Sequence, residues 1–122
     1  MEGDSLSHVV LNWPLAILWG VKMIKHIVMW KVLGTDEAER NAAARLVKKS
    51  FEDLRGRIPG MLHIEIGIDY CHFEHSCDAV LYSEFESESA LSAYATHPEH
   101  LRVRDLLLGV RITRHQVDYH AD

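Results

Sequence analysis

The sequence predicts an α+β domain: a four-stranded antiparallel sheet in the order βαββαβ, with its helices on one face. Three observations carry this. Residues 23–33 alternate with a period of two, residues 37–55 switch to helical spacing, and a second strand-then-helix pattern follows from 79, its helix broken at Pro98.

In the first strand, Met23 to Leu33, Ile24, His26, Val28, Trp30 and Val32 point one way. Lys25, Ile27, Met29, Lys31 and Leu33 point the other. This is a β period on a run rich in β-branched residues, and both faces carry apolar groups, so both are expected to be covered. Gly34 breaks the strand. Asp36 is a helix N-cap with Glu39 three residues on, a capping box. Ala43, Leu46, Val47, Phe51 and Leu54 then form an apolar stripe over 37–55, with Arg40, Arg45, Lys48, Lys49, Glu52 and Asp53 supplying the polar surface. Gly56 and Pro59-Gly60 end the helix and turn the chain.

Met61 to Ile68 predicts the second strand, with Leu62, Ile64, Ile66 and Ile68 on one face and His63, Glu65 and Gly67 on the other. Residues 69–78 form a polar connection. Residues 79–85 predict the third strand, Leu81 and Phe85 opposed to Val80 and Tyr82. Ser87 starts a short helix carrying Ala90, Leu91 and Tyr94. Pro98 is the first residue of a further helix, with His97 near its N-cap and Val103, Leu106 and Leu107 on its apolar side. Gly109 ends it, and Val110 to Tyr119 form the last strand. The arrangement is ferredoxin-like. The sheet face without helices keeps apolar residues that an isolated domain would expose, so a second copy in a two-fold homodimer is expected to cover it.

The chain has 122 residues, the length of one domain, and 48% of them are apolar, as in globular proteins. A formal net charge of −5 lacks the basic footprint of non-specific nucleic-acid binding or of a polybasic membrane anchor. Two cysteines, Cys71 and Cys77, make no disulfide framework and point to a reducing compartment, the cytoplasm. The apolar run Val9 to Val21 is interrupted by Asn12 and Pro14 and is too short to span a bilayer. Glu2 and Asp4 carry the wrong charge for a signal peptide. Residues 1–22 therefore read as an extension, either from an upstream start or as a packed arm, and residues 23–122 as the domain.

Five separated segments resemble one family in order and spacing. They are Met23 to Trp30, Ile58-Pro59-Gly60-Met61, Ser83 to Ser87 followed by Ala90 to Tyr94, His97-Pro98-Glu99-His100, and Val117-Asp118-Tyr119. The chain resembles the stress-responsive dimeric α/β-barrel (Dabb) family over about Met23 to Tyr119. The resemblance implies a homodimer whose two sheets close an eight-stranded barrel. Most members have no assigned activity, some plant members are linked to stress tolerance, and one is a polyketide cyclase that closes a linear thioester by aldol chemistry.

Carried across by motif, the resemblance implies His100 and Tyr94 as catalytic residues and His26 as a further pocket histidine. Val28, Trp30, Val47, Phe51, Leu81, His97 and Val103 are the expected pocket positions, with Arg111 beside them, and a small hydrophobic or polyketide-like molecule is the implied ligand. A neutral imidazole suits removal of a proton between two carbonyls. A phenol can donate to the developing enolate oxygen. No metal or organic cofactor is needed for such a step. The family also implies a structural Mg²⁺ on the backbone carbonyls of Arg55, Ile58 and Met61, hard oxygen donors suited to a hard cation.

Other readings stay open. The His-Pro-Glu-His segment also serves as a helix start that holds the helix to the sheet, which would leave the barrel a non-catalytic stress-response scaffold. A third class, cofactor-independent oxygenation, rests on analogy of fold alone. Cys71, His72, His75 and Cys77 carry metal-binding groups, but their spacing fits no common zinc pattern; a solvated loop or a disulfide are the alternatives. Arg102, Arg104, Arg111 and Arg114 form a basic cluster that is either a solvated face or an attractor for an acidic ligand.

Overall fold

The computed structural model describes residues 23–121, so the expected extension over residues 1–22 lies outside the described part. The elements are β1 (Ile24–Trp30), α1 (Glu37–Glu52), β2 (Met61–Ile68), β3 (Ala79–Phe85), α2 (Glu88–Ala95), α3 (Pro98–Leu106) and β4 (His115–His120). The strands form one antiparallel sheet in the order β2-β3-β1-β4. This is the ferredoxin-like arrangement that the sequence predicts.

The helices start where the capping chemistry places them. Asp36 accepts a hydrogen bond from the Glu39 N–H at 2.8 Å, and the Glu39 carboxylate reaches back to the Thr35 N–H at 2.8 Å. Ser87 Oγ accepts from the Ala90 N–H at 3.1 Å. His97 Nδ1 accepts from the Glu99 N–H at 3.1 Å, with Pro98 in the first turn. Helix α1 ends at Glu52 rather than 55, because Leu54 and Arg55 bond three residues back, to Phe51 and Glu52, in a tightened turn. Its buried stripe is Ala44, Val47, Ser50 and Phe51, whereas Leu46, expected on the apolar side, is exposed.

Ile24, Val28, Trp30 and Val32 of the first strand pack with Val47, Phe51 and Leu54, and with Ile64, Ile66, Leu81, Phe85, Val103 and Leu107. That is the core, one layer thick between sheet and helices. Two irregularities depart from the uniform period-two reading. On β2, Met61 opposes Phe85 and His63 opposes Glu84, so Leu62 is bulged out and exposed instead of sharing a face with Ile64 and Ile66.

The second irregularity divides the expected last strand. Met29 opposes His115 and Val32 bridges Arg111, which leaves Trp30 and Lys31 on one side facing Ile112, Thr113 and Arg114 on the other. The extra residue is accommodated because Ile112 N–H donates to the Lys31 carbonyl at 2.7 Å while Thr113 Oγ1 takes the Lys31 N–H at 3.1 Å. Regular pairing resumes only at His115. The same irregularity ends β1 at Trp30 rather than Leu33.

The helix-free face carries Ile27, Met29, Val80, Tyr82, Val117 and Tyr119, which alternate with the core residues in register. Met29, Val117 and Tyr119 are exposed. The apolar two-sidedness read from the sequence is therefore real.

Candidate functional site

The register between β1 and β4 turns Asp118 to the helix side, opposite His26. His26 is 6% exposed, and its Nδ1 lies 2.5 Å from Asp118 Oδ1. A carboxylate only accepts, so Nδ1 carries the proton. Gln116 Nε2 donates to the other Asp118 oxygen at 2.8 Å and fixes the carboxylate. Ser83 Oγ donates to the His26 carbonyl at 3.1 Å. The imidazole stands edge-on to Phe85 and Tyr94, each 6.2 Å away between ring centroids.

Tyr94 projects from α2 into this cluster, with its ring 5.1 Å from Phe85. Its hydroxyl is buried with no hydrogen-bond partner, and burial pushes its ionisation well above the ordinary tyrosine range. The kink at Pro98 brings His100 back over the same ring. The His100 and Tyr94 centroids are 4.3 Å apart. His100 Nδ1 donates to the Ala95 carbonyl at 3.1 Å, which fixes the proton on Nδ1 and leaves the Nε2 lone pair available in the neutral ring. Burial holds the His100 pKa below the usual histidine value, with Arg111, His26 and Arg104 acting in the same direction and the Ala95 bond opposing. Thus His26, Tyr94 and His100, drawn from three separate elements, come together.

Of the three, His100 lines an open cleft. The cleft, of about 310 Å³, runs between α3 and the β1–β4 edge, lined by Trp30, His100, Arg104, Arg111, Ile112, Thr113 and Arg114. Of the residues expected at the pocket, His100 and Trp30 line this cleft. Val28, Val47, Phe51, Leu81 and Val103 are instead core, each at most 2% exposed. The space expected between them is filled by a stack of Trp30 on Phe51, with centroids 5.2 Å apart and planes 15° apart. His97 is committed to capping α3. The Arg111 guanidinium lies over both stacked rings, 5.3 and 5.5 Å from their centroids.

The basic cluster divides in two. Arg102 turns outward to Glu99, 3.2 Å away. Arg104, Arg111 and Arg114 line the cleft. Sequence reasoning assigned no role to Asp118, and read Arg104 and Arg114 only as members of a basic cluster, a solvated face or an attractor for an acidic ligand. The signals for Asp118 are its place in the Val117-Asp118-Tyr119 segment and its even spacing from Gln116, on a strand whose inward register the sequence does not give.

A larger depression of about 530 Å³ lies on the opposite face of the sheet, beneath the 69–78 connection, between Met29, Gly67, Val80 and His115. It is remote from the histidine–tyrosine cluster. Cys71 and Cys77 both carry free thiols. His72 pairs with Glu37 at 2.8 Å. Among the described residues no three or more His, Cys, Asp or Glu side chains converge as a metal site. At the loop implied for Mg²⁺, the Ile58 carbonyl already accepts the Met61 N–H at 3.2 Å. Among the described residues no helix is long and apolar enough to cross a membrane.

Several solved structures share this fold. A dimeric ferredoxin-like protein of unknown function from Bacteroides fragilis is 31% identical, with a TM-score of 0.72 over 81% of this chain and 96% of that one. A Dabb family protein from Mesorhizobium loti is 23% identical, with a TM-score of 0.62 over 80% and 95% of the two chains. A hydroxynitrile lyase from Passiflora edulis is 13% identical, with a TM-score of 0.69 over 83% and 94%. No curated protein matches the chain significantly. The sequence pattern of the stress responsive A/B barrel domain matches residues 24–121, and with that span matched the chain belongs to the stress responsive A/B barrel (Dabb) family.

Proposed function

We propose that this chain is a homodimeric barrel that binds a small organic molecule in the cleft beside His100 and removes a proton from it, without a cofactor, as the opening step of aldol-type chemistry. The observation that carries this reading is the fixed tautomer of His100. Its Nδ1–H is spent on the Ala95 carbonyl, and its ring lines the cleft. Nε2 would take a proton from a carbon between two carbonyls. The imidazole becomes imidazolium and the ligand becomes an enolate; the imidazolium then gives a proton to the alkoxide formed on ring closure, or, with no closure, trades its proton with solvent and reprotonates the carbon. Tyr94 carries the one buried hydroxyl in contact with this ring; a small shift of α2 would let it donate to the enolate oxygen. The dimer is supported by the apolar helix-free face and by the dimeric state of the Bacteroides fragilis relative.

Hydrogen–deuterium exchange at the central carbon of pentane-2,4-dione, followed by proton NMR in D₂O, tests the reading. The wild-type chain should accelerate exchange above buffer. His100→Gln should lose that acceleration by about 100-fold or more, while retaining its circular dichroism and oligomeric state. Equal exchange with both proteins removes His100 from the reaction. A second reading, the non-catalytic scaffold, is favoured by the filled core around Trp30 and Phe51. It predicts no exchange above buffer and a loss of folding on replacing His100.

A further inference from the structure

We propose that the cleft beside His100 receives a small organic acid, with its carboxylate held by Arg111 and Arg114 and its carbon acid laid against Nε2 of His100. The inference deepens the preceding reading and rests on this cleft being a ligand site.

The charge distribution is the first argument. The chain carries a formal net charge of −5, yet three arginines line one cleft of about 310 Å³. Surface arginines usually settle against neighbouring carboxylates. Arg102 does so with Glu99, and Arg104 has Asp105 at 3.4 Å. Among the described residues, no carboxylate pairs with Arg111 or Arg114. Concentrating like charges beside partly buried surface is unfavourable, and a bound anion relieves it.

The geometry of Arg111 is the second argument. Its guanidinium is half-buried and seated over the Trp30 and Phe51 rings. The two rings hold the group from the protein side, and among the described residues no carboxylate takes its forked N–H donors. A carboxylate matches that fork with two parallel hydrogen bonds. Arg111 is held in place by its base, so little side-chain freedom remains to be lost on binding.

Size is the third. A volume of about 310 Å³ is at the lower end of the range of roughly 300–1,000 Å³ for ligand pockets, which favours a compact acid over an extended chain. Because His100 and the arginines share the cleft, the acid should carry its acidic C–H close to its carboxylate, as a 3-oxo acid does.

The test uses three probes on the full-length protein: acetoacetate, the uncharged pentane-2,4-dione, and inorganic phosphate. Binding is read from the His100 ring resonances, assigned by their loss in His100→Gln, and from calorimetry. Acetoacetate should bind at least about tenfold tighter than the dione, the scale of one charge-assisted hydrogen bond. Arg114→Gln should weaken acetoacetate about tenfold and leave the dione unchanged. Arg114 is exposed and outside the core, so this variant keeps the fold. Added salt should weaken acetoacetate alone. His100→Gln should still bind acetoacetate by calorimetry.

Equal affinities for acetoacetate and the dione, unaffected by Arg114→Gln, overturn the inference while leaving the cleft as a neutral-ligand site. Phosphate binding tighter than acetoacetate overturns the carboxylate assignment. If no probe moves His100, both the inference and the cleft reading fall. If acetoacetate binds in an arginine-dependent way but undergoes no exchange, the inference stands and the catalytic reading falls.

Discussion

His26 on β1 and Asp118 on β4 meet at 2.5 Å between Nδ1 and Oδ1, on the face that packs against the helices. Asp118 is two-thirds buried and also holds Gln116. The pair ties the edge strand to the sheet centre by side chains as well as by its backbone ladder. It also fixes the ring that stands edge-on to Tyr94, which in turn packs at a tilt against His100.

Asp118→Ala should therefore destabilise the fold by about 1–3 kcal/mol, the cost of leaving a buried polar group without its partner. Urea unfolding of wild type and variant measures this. A change within about 0.5 kcal/mol, the usual range for surface substitutions, would show that the pair is energetically idle.

The depressed pKa of His100 gives stability a pH dependence with a definite sign. Below about pH 6.5 the unfolded chain binds a proton at this histidine that the folded chain resists. Stability attributable to His100 is full above that pH. It falls as the pH drops through the window from the unfolded to the lower folded value. In His100→Gln that component disappears, so the unfolding midpoint should vary less between about pH 7.5 and pH 5 than in wild type. Parallel pH profiles would contradict the assignment.

Tyr94→Phe separates structure from chemistry. The hydroxyl is buried without a partner, so removing it should leave stability unchanged or raise it by up to about 1 kcal/mol. If the proposed acid/base step uses that hydroxyl, carbon-acid exchange should fall in the same variant. A loss of stability above about 1 kcal/mol would reveal a hydrogen bond that the unpaired geometry does not contain.

Val117 lies 49% exposed on the helix-free face. Val117→Arg should convert the proposed dimer to a monomer in sedimentation velocity while preserving the far-ultraviolet spectrum, because a charge placed there must be desolvated on pairing. A wild-type chain that sediments as a monomer would refute the dimer directly.

Much of the fold was legible because its signals are local. Asp36 with Glu39, Ser87 with Ala90, and Pro98 after His97 all start helices where capping chemistry requires. The site was legible in part. His26, Tyr94 and His100 were identified through a family motif, and their meeting depends on how α2 and α3 fold about Pro98, which no spacing rule supplies. The filled pocket was legible only in outline: Trp30 follows His26 on the same strand face, where its indole could take part of the space. Alternation places Trp30 inward but does not say that it will stack on Phe51 and take the space. Leu62 shows the same limit, since one bulged residue removes it from a face that period two assigns to it.

The inserted residue between Arg111 and His115 has a consequence of parity. Arg111 and Asp118 are an odd number of positions apart, so a regular strand would send one of them to each side of the sheet. The bulge makes both face the helices, one with Val32 and the other with His26. The cation over Trp30 and the anion beneath His26 thus coexist on one surface only because this segment is one residue longer than its partner. Chain length here acts as a selector of chemistry. Deleting Thr113 alone would restore the count and force a choice between the two, leaving either an arginine without its aromatic seat or a histidine without its carboxylate.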